Sequence, residues 1–285
     1  MYRVAFFSHE IELVGNLRLP ADNGRRPAVL FSGPFSSVKD QVTGLYAERL
    51  SHAGYATLAF DHRGFGESGG RRGHEDAHGK LADLRAAISF LARHDLVDSH
   101  RIGLVGIGVG GAYAVMAAAA DPRVRVVAGV AGAYSPQRSV QSMGIPVYRS
   151  ALRMLVDKYD EYLPVVAPLE LEAAMPGTEA YNYYRSDRSR SKYWENRVTW
   201  GSLHSLMTLD ALDAANVLGE TPLLIVHGKT DKYCPPSIAW DLYHRATGTR
   251  RITWLNTQRH TDLYDIEPHV TQAAQATVEF FSQHL

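Results

Sequence analysis

Cysteine is almost missing from this 285-residue chain: Cys234 stands alone, so no intrachain disulfide can form and a reducing compartment is the expected setting. Net charge is missing as well. Lys+Arg 30 and Asp+Glu 30 cancel, which removes global electrostatic support for a nucleic-acid or anionic-membrane partner. Long hydrophobic runs are scarce: the nearest, Gly103 to Ala120, is rich in Gly and Ala and runs straight into Asp121-Pro122. It reads as a buried strand and helix, not a membrane span. The first ten residues, Met1 to Glu10, meet charge too early for a signal peptide. A cytoplasmic globular protein is therefore expected. The 45% hydrophobic and 21% charged composition supplies a substantial core and excludes a disordered chain. At about 150 residues per domain, the length fits one large domain or two modest ones.

What is present has a clear rhythm. Val4 to Ser8 and Ile11 to Leu19 are short apolar runs followed by the turn segment Pro20-Ala21-Asp22-Asn23-Gly24, and predict two paired antiparallel strands. From Pro27 onward strand, loop and amphipathic helix repeat. Ala28 to Phe31, Tyr55 to Phe60, Ile102 to Val105 and Val124 to Val130 read as strands. Lys39 to His52, the segment carrying Leu81, Leu84, Ile88 and Leu91, and Ala112 to Ala120 read as helices. Continuous apolar strands alternating with helices indicate a parallel sheet covered on both faces. The rhythm stops at Ala133 and resumes near Pro222 to Val226, then Ile252 to Leu255. The expected organisation is an α/β core of residues 1–132 and 218–285 with a helical insert, 133–217, over one end of the sheet.

In a doubly wound sheet reactive groups gather at the carboxyl ends of strands. Three candidates sit there: Gly106-Ile107-Gly108-Val109-Gly110-Gly111, opening a helix; Asp231 after a later strand; and His260 after the last. Strand-glycine turn-helix, then acid, then histidine is the chain order of a nucleophile, acid and base arrangement.

On these residues the chain resembles the α/β-hydrolases, in the dienelactone-hydrolase-like and bacterial esterase branch that includes polyketide thiohydrolases and acyl transferases. The resemblance extends over essentially the whole sequence. Phe31-Ser32-Gly33-Pro34-Phe35 is similar to the branch's oxyanion loop, and Asp61-His62-Arg63-Gly64-Phe65-Gly66-Glu67-Ser68 to its Asp-x-Arg-Gly-x-Gly-x-Ser turn. The resemblance implies an α/β-hydrolase fold, Asp231 and His260 as acid and base, and the backbone N–H groups of Phe35 and Val109 as oxyanion donors. Pro34 has no N–H to offer. Pro34, Ile107, Tyr183, Tyr184 and Cys234 become the candidate substrate contacts.

One departure dominates. Where the family's Gly-x-Ser-x-Gly elbow places serine, this chain has Gly108, which carries no hydroxyl to acylate. The elbow demands a left-handed backbone that costs an ordinary residue about 1–3 kcal/mol, and glycine adopts it freely. A carboxylate-supported imidazole beside an oxyanion hole can still abstract protons from carbon or water. The expected function is acid-base chemistry of the cyclase, lyase or isomerase type on an apolar carbonyl or polyketide-like metabolite. Two alternatives stand beside it: a serine esterase or thioesterase inactivated by an engineered replacement at 108, and a non-catalytic binding protein. The expected partner is a small-molecule substrate, free or carrier-bound, with no nucleic acid, membrane, cofactor or metal; a homodimer is compatible with the pattern.

Other signals carry less. His74-Glu75-Asp76-Ala77-His78 matches a zinc-protease string, yet glycines flank it and a third ligand is not in view. Gly106-x-Gly108-x-x-Gly111 satisfies a dinucleotide fingerprint but follows a late strand, and no acid ends the next one. Cys234 could act as a displaced nucleophile, or simply pack beside the sheet. Arg185, Arg188, Arg190 and Arg197 could receive an anionic carrier, or form a solvated face.

Overall fold

The computed structural model describes residues 1–20, 24–168 and 171–285. Residues 21–23 of the expected turn lie outside them. Apolar strand segments assemble one eight-stranded sheet. The chain opens with β1 (Tyr2–Ser8) and β2 (Ile11–Arg18), an antiparallel pair, followed by β3 (Arg26–Ser32), α1 (Val42–His52) and β4 (Ala56–Phe60). α2 (Ala77–Ala92), β5 (Val97–Ile107), α3 (Gly110–Ala120) and β6 (Val124–Val130) complete the first half.

The insert then supplies α4 (Pro136–Gln141), α5 (Ile145–Asp157), β7 (Tyr162–Leu163), β8 (Val166–Ala167), β9 (Met175–Pro176), α6 (Thr178–Tyr184), β10 (Val198–Thr199), α7 (Trp200–Leu206) and α8 (Leu212–Ala215). The sheet resumes with β11 (Leu223–Gly228), α9 (Pro236–Arg245) and β12 (Arg250–Leu255), and the chain ends in α10 (Asp262–Asp265) and α11 (His269–Phe281). Among the described residues this stretch carries five α-helices and, besides them, two small ladders the sequence did not reveal: β7 with β10, antiparallel, and β8 with β9, parallel. Strands of two residues are too short for any alternation to show.

Strand order is β1-β2-β4-β3-β5-β6-β11-β12, parallel from β4 to β12. β4 lies on one side of β3 and β5 on the other, so the order reverses there. A crevice opens at the carboxyl ends of strands at such a reversal. Ala28 to Phe31, Leu104, Val105 and Ile225 lie on these central strands without solvent exposure, as expected for a sheet covered on both faces.

The loop leaving β3 is fastened by a buried charge cluster. Lys39, expected to start a helix, instead precedes α1 and turns inward. Its backbone N–H donates to Asp61 Oδ1 at 2.7 Å, and its Nζ donates to Asp61 Oδ2 at 2.7 Å and Glu67 Oε2 at 2.6 Å. Burial alone would favour a neutral Asp61, and the adjacent ammonium opposes that. Gly66 sits so close to this carboxylate that a Cβ would come within 2.1 Å of it. The clamp joins the β3 loop to the turn after β4. Removing Asp61 leaves the buried ammonium with Glu67 alone and takes the acceptor from the Lys39 and Glu67 backbone N–H groups, so Asp61→Ala should lower stability by about 3–5 kcal/mol in denaturant unfolding.

Candidate active site

The sharp turn between β5 and α3 holds Gly108 at φ 58°, in the left-handed region. Three backbone hydrogen bonds fix it: its N–H donates to the Val130 carbonyl at 3.1 Å, and its own carbonyl accepts from Ala133 and Gly111. The turn presses against β3, where a Cβ at Gly110 would lie 2.1 Å from the Ser32 carbonyl oxygen. Ser36, beside Phe35, and Ala131, after β6, are also left-handed, at φ 59° and 47°. Strained backbone of this kind clusters at functional sites. The N–H groups of Phe35 and Val109 donate to no other described residue.

Two loops at the ends of β11 and β12 bring the acid and the imidazole together. Asp231 Oδ1 accepts from the N–H groups of Tyr233 at 2.9 Å and Cys234 at 2.8 Å. Its Oδ2 accepts from His260 Nδ1 at 2.7 Å. Burial pushes the Asp231 carboxyl up, but the hydrogen bond and charge of His260, with the Cys234 N–H and His227, together hold it below the usual carboxylate value. His260 is held above the ordinary 6.5 against the pull of burial, and we assign this to the Asp231 carboxylate. Burial pushes the Cys234 thiol up, so it stays protonated near neutral pH.

The other imidazole nitrogen is also engaged. His260 Nε2 lies 2.7 Å from Tyr264 Oη, four residues further on in α10. With Nδ1–H bound to the carboxylate, a neutral ring accepts from the phenol at Nε2. Asp262 Oδ2 accepts from the N–H groups of Gln258 and Arg259, which turns the chain into α10. The Tyr264 ring meets Tyr183 edge to face at 5.1 Å. Its oxygen fills the space in front of the elbow: a Cβ on Gly108 would lie 2.6 Å from Tyr264 Oη and 3.2 Å from Pro34 Cβ.

A cavity of about 160 Å³, walled mostly by apolar atoms, opens onto these groups. Pro34, Phe35, Gly108, Val109, Tyr184 and Cys234 line it, as does His260, with Asp231 behind the imidazole. Two expected contacts lie elsewhere. Ile107 ends β5 fully inside the core, and Tyr183 is spent on packing behind Tyr264. Tyr264 lines the cavity and was not singled out from the sequence; its spacing of four from His260 was the available signal.

The competing signals disperse. His74 Nδ1 pairs with Thr199 Oγ1 at 2.8 Å, whereas Glu75 is buried, accepting from Lys80 Nζ at 2.7 Å and Tyr113 Oη at 2.9 Å. Arg188 forks onto Asp265, Arg190 pairs with Asp187 and Arg197 with Glu195, so those guanidinium groups do not converge. Among the described residues, Asp231, Cys234 and His260 form the one cluster of metal-ligand type. Both nitrogens of its imidazole already have hydrogen-bond partners.

The profile described as serine aminopeptidase, S33, matches residues 35–267. The chain belongs to this α/β-hydrolase family. The Escherichia coli (strain K12) protein YcjY is 30% identical over 277 residues, 90% of this chain and 89% of that one. Thiohydrolase aneE of Aspergillus aculeatus is 25% identical over 89% of this chain and 84% of its own. The crystal structure of PA2218 from Pseudomonas aeruginosa superposes with a TM-score of 0.88 at 26% identity, covering 100% of this chain and 93% of that chain. In this α/β-hydrolase the elbow residue is a glycine packed against a tyrosine. A Gly108→Ala variant meets both the left-handed backbone and the Tyr264 oxygen, and should lose on the order of 1–3 kcal/mol in thermal or denaturant unfolding.

Proposed function

We propose that this α/β-hydrolase family member uses His260 and Asp231 for acid-base chemistry on an apolar carbonyl compound of polyketide-like character, without an acyl-enzyme at residue 108. The reaction is of the cyclase, lyase or isomerase type: a proton leaves or joins a carbon next to a carbonyl, while the carbonyl oxygen takes up charge. One observation carries the reading. A carboxylate-supported imidazole, 2.7 Å from its acid, is retained at an elbow that has a glycine in place of a nucleophile. The uncommitted N–H groups of Phe35 and Val109 support an oxyanion site beside it. The apolar cavity walls favour an apolar substrate. The resemblance to a protein named thiohydrolase favours a carbonyl substrate, free or carried as a thioester. The cytoplasm is the setting that suits such a metabolite.

The Tyr264 phenol oxygen occupies the space that a side chain at 108 would enter, so with glycine there it is the phenol that faces the cavity. A purely binding role leaves the buried Asp231–His260 pair without a purpose.

Incubation with a panel of β-dicarbonyl and polyketide-like compounds, followed by mass spectrometry of products, tests the reading. His260→Ala should lower turnover about 10²–10⁴-fold; unchanged turnover would refute the role. The pH profile supplies a second check. Neutral imidazole is the base, and its fraction rises as pH passes through its pKa. Asp231 holds that pKa above 6.5, so the base-dependent rate should rise with a midpoint above 6.5. Asp231→Asn removes the carboxylate and should move the midpoint to lower pH.

A further inference from the structure

We propose that Tyr264 is the residue that touches the substrate, its phenol oxygen passing protons between a carbon next to the substrate carbonyl and His260. This rests on the acid-base reading above and gives it a second catalytic group.

Three observations converge on it. The first is position: Tyr264 Oη lies 2.6 Å from where a Cβ on Gly108 would be, so it stands in front of the elbow, and the residue lines the cavity. The second is connection. His260 Nε2 is 2.7 Å from that oxygen, and Nδ1 is taken by Asp231. Both ring nitrogens are therefore occupied, and a substrate entering the cavity reaches the base through the phenol. The third is fixation. The ring is buried, set edge to face against Tyr183 and His260, and the carbonyl of neighbouring Leu263 accepts from Tyr46 Oη at 2.7 Å. Burial also pushes the phenol's pKa up, so it stays protonated and can donate.

The proton movement balances without any further reactant. Tyr264 Oη takes the proton from the carbon while its own O–H proton passes to His260 Nε2. The C–H electron pair becomes the C=C of an enolate, whose oxygen faces the N–H groups of Phe35 and Val109. His260 becomes imidazolium against Asp231. Reversal returns the proton through the phenol to a different atom, completing an isomerisation, or the enolate expels a β-substituent, completing an elimination. The phenol oxygen carries a proton before and after each step.

The test follows exchange of the α-protons of 1-phenyl-2-propanone with deuterated solvent, by proton NMR. The unaltered protein, Tyr264→Phe, His260→Ala and the double variant are compared, with unfolding midpoints measured for each. The proposal expects exchange in the unaltered protein. It also expects Tyr264→Phe to lose about 10²–10⁴-fold, as much as His260→Ala, with no further loss in the double variant. If Tyr264→Phe retains exchange while His260→Ala loses it, the proposal is overturned and the dyad acts directly. If both retain it, or the unaltered protein catalyses none, the acid-base reading falls as well. Should Tyr264→Phe unfold, site-specific replacement of Tyr264 by 2,3-difluorotyrosine keeps the packing and makes the phenol more acidic. An unchanged pH–rate profile for that protein overturns the proposal. So does a covalent acyl adduct on Tyr264 after incubation with a thioester, which would make the phenol a nucleophile.

Discussion

Asp231, His260 and Tyr264 form one hydrogen-bonded line that ends against the backbone of Gly108, and the geometry of the site depends on that line staying intact. Each member constrains the next. Backbone N–H groups fix one carboxylate oxygen, the other fixes the imidazole, and the imidazole leaves a single nitrogen for the phenol. Glycine at 108 is the steric condition for the arrangement, because any side chain there would push the phenol away. Between mostly apolar walls such preorganised groups act more strongly than they would in bulk water.

The rest of the fold holds the opposite wall in place. The reversal of strand order between β4 and β5 around β3 puts the ends of β3 and β5 side by side. Lys39 then fastens the loop after β3 through a charge pair buried with almost no exposure. α6 closes the site from the other side, with Ala180 and Tyr184 in its wall. Tyr184 donates to the Phe35 carbonyl at 3.1 Å, and Glu179 accepts from the Thr261 N–H at 2.8 Å. These two bonds tie α6 to the loop after β3 and to the histidine loop at once, so a disturbance in α6 reaches both walls of the cavity.

Much of this was legible in the sequence, for stated reasons. Buried parallel strands are continuous apolar runs, so β3 to β6 and β11 could be read directly. Asp231 and His260 follow strands at the end of the sheet where α/β folds gather reactive groups. Lys39 was misplaced in a helix because its partner Asp61 is 22 residues away, and a buried ion pair has no local signature. Ile107 has the sequence position of a contact, next to the elbow, but it ends a stretch of β5 that is buried on both faces. Tyr264 carries no local signal of its own, because a phenol pointing at a glycine is a consequence of packing. Its four-residue spacing from His260 gains meaning only once α10 is known to be helical.

The protonation pattern of His260 is the most direct measure of the line. Nitrogen-15 NMR of the imidazole across a pH titration should find the proton on Nδ1 at every pH. Nε2 should titrate with a midpoint above 6.5, and its resonance should move in Tyr264→Phe. A neutral ring protonated on Nε2, or a midpoint below 6.5, would contradict the account.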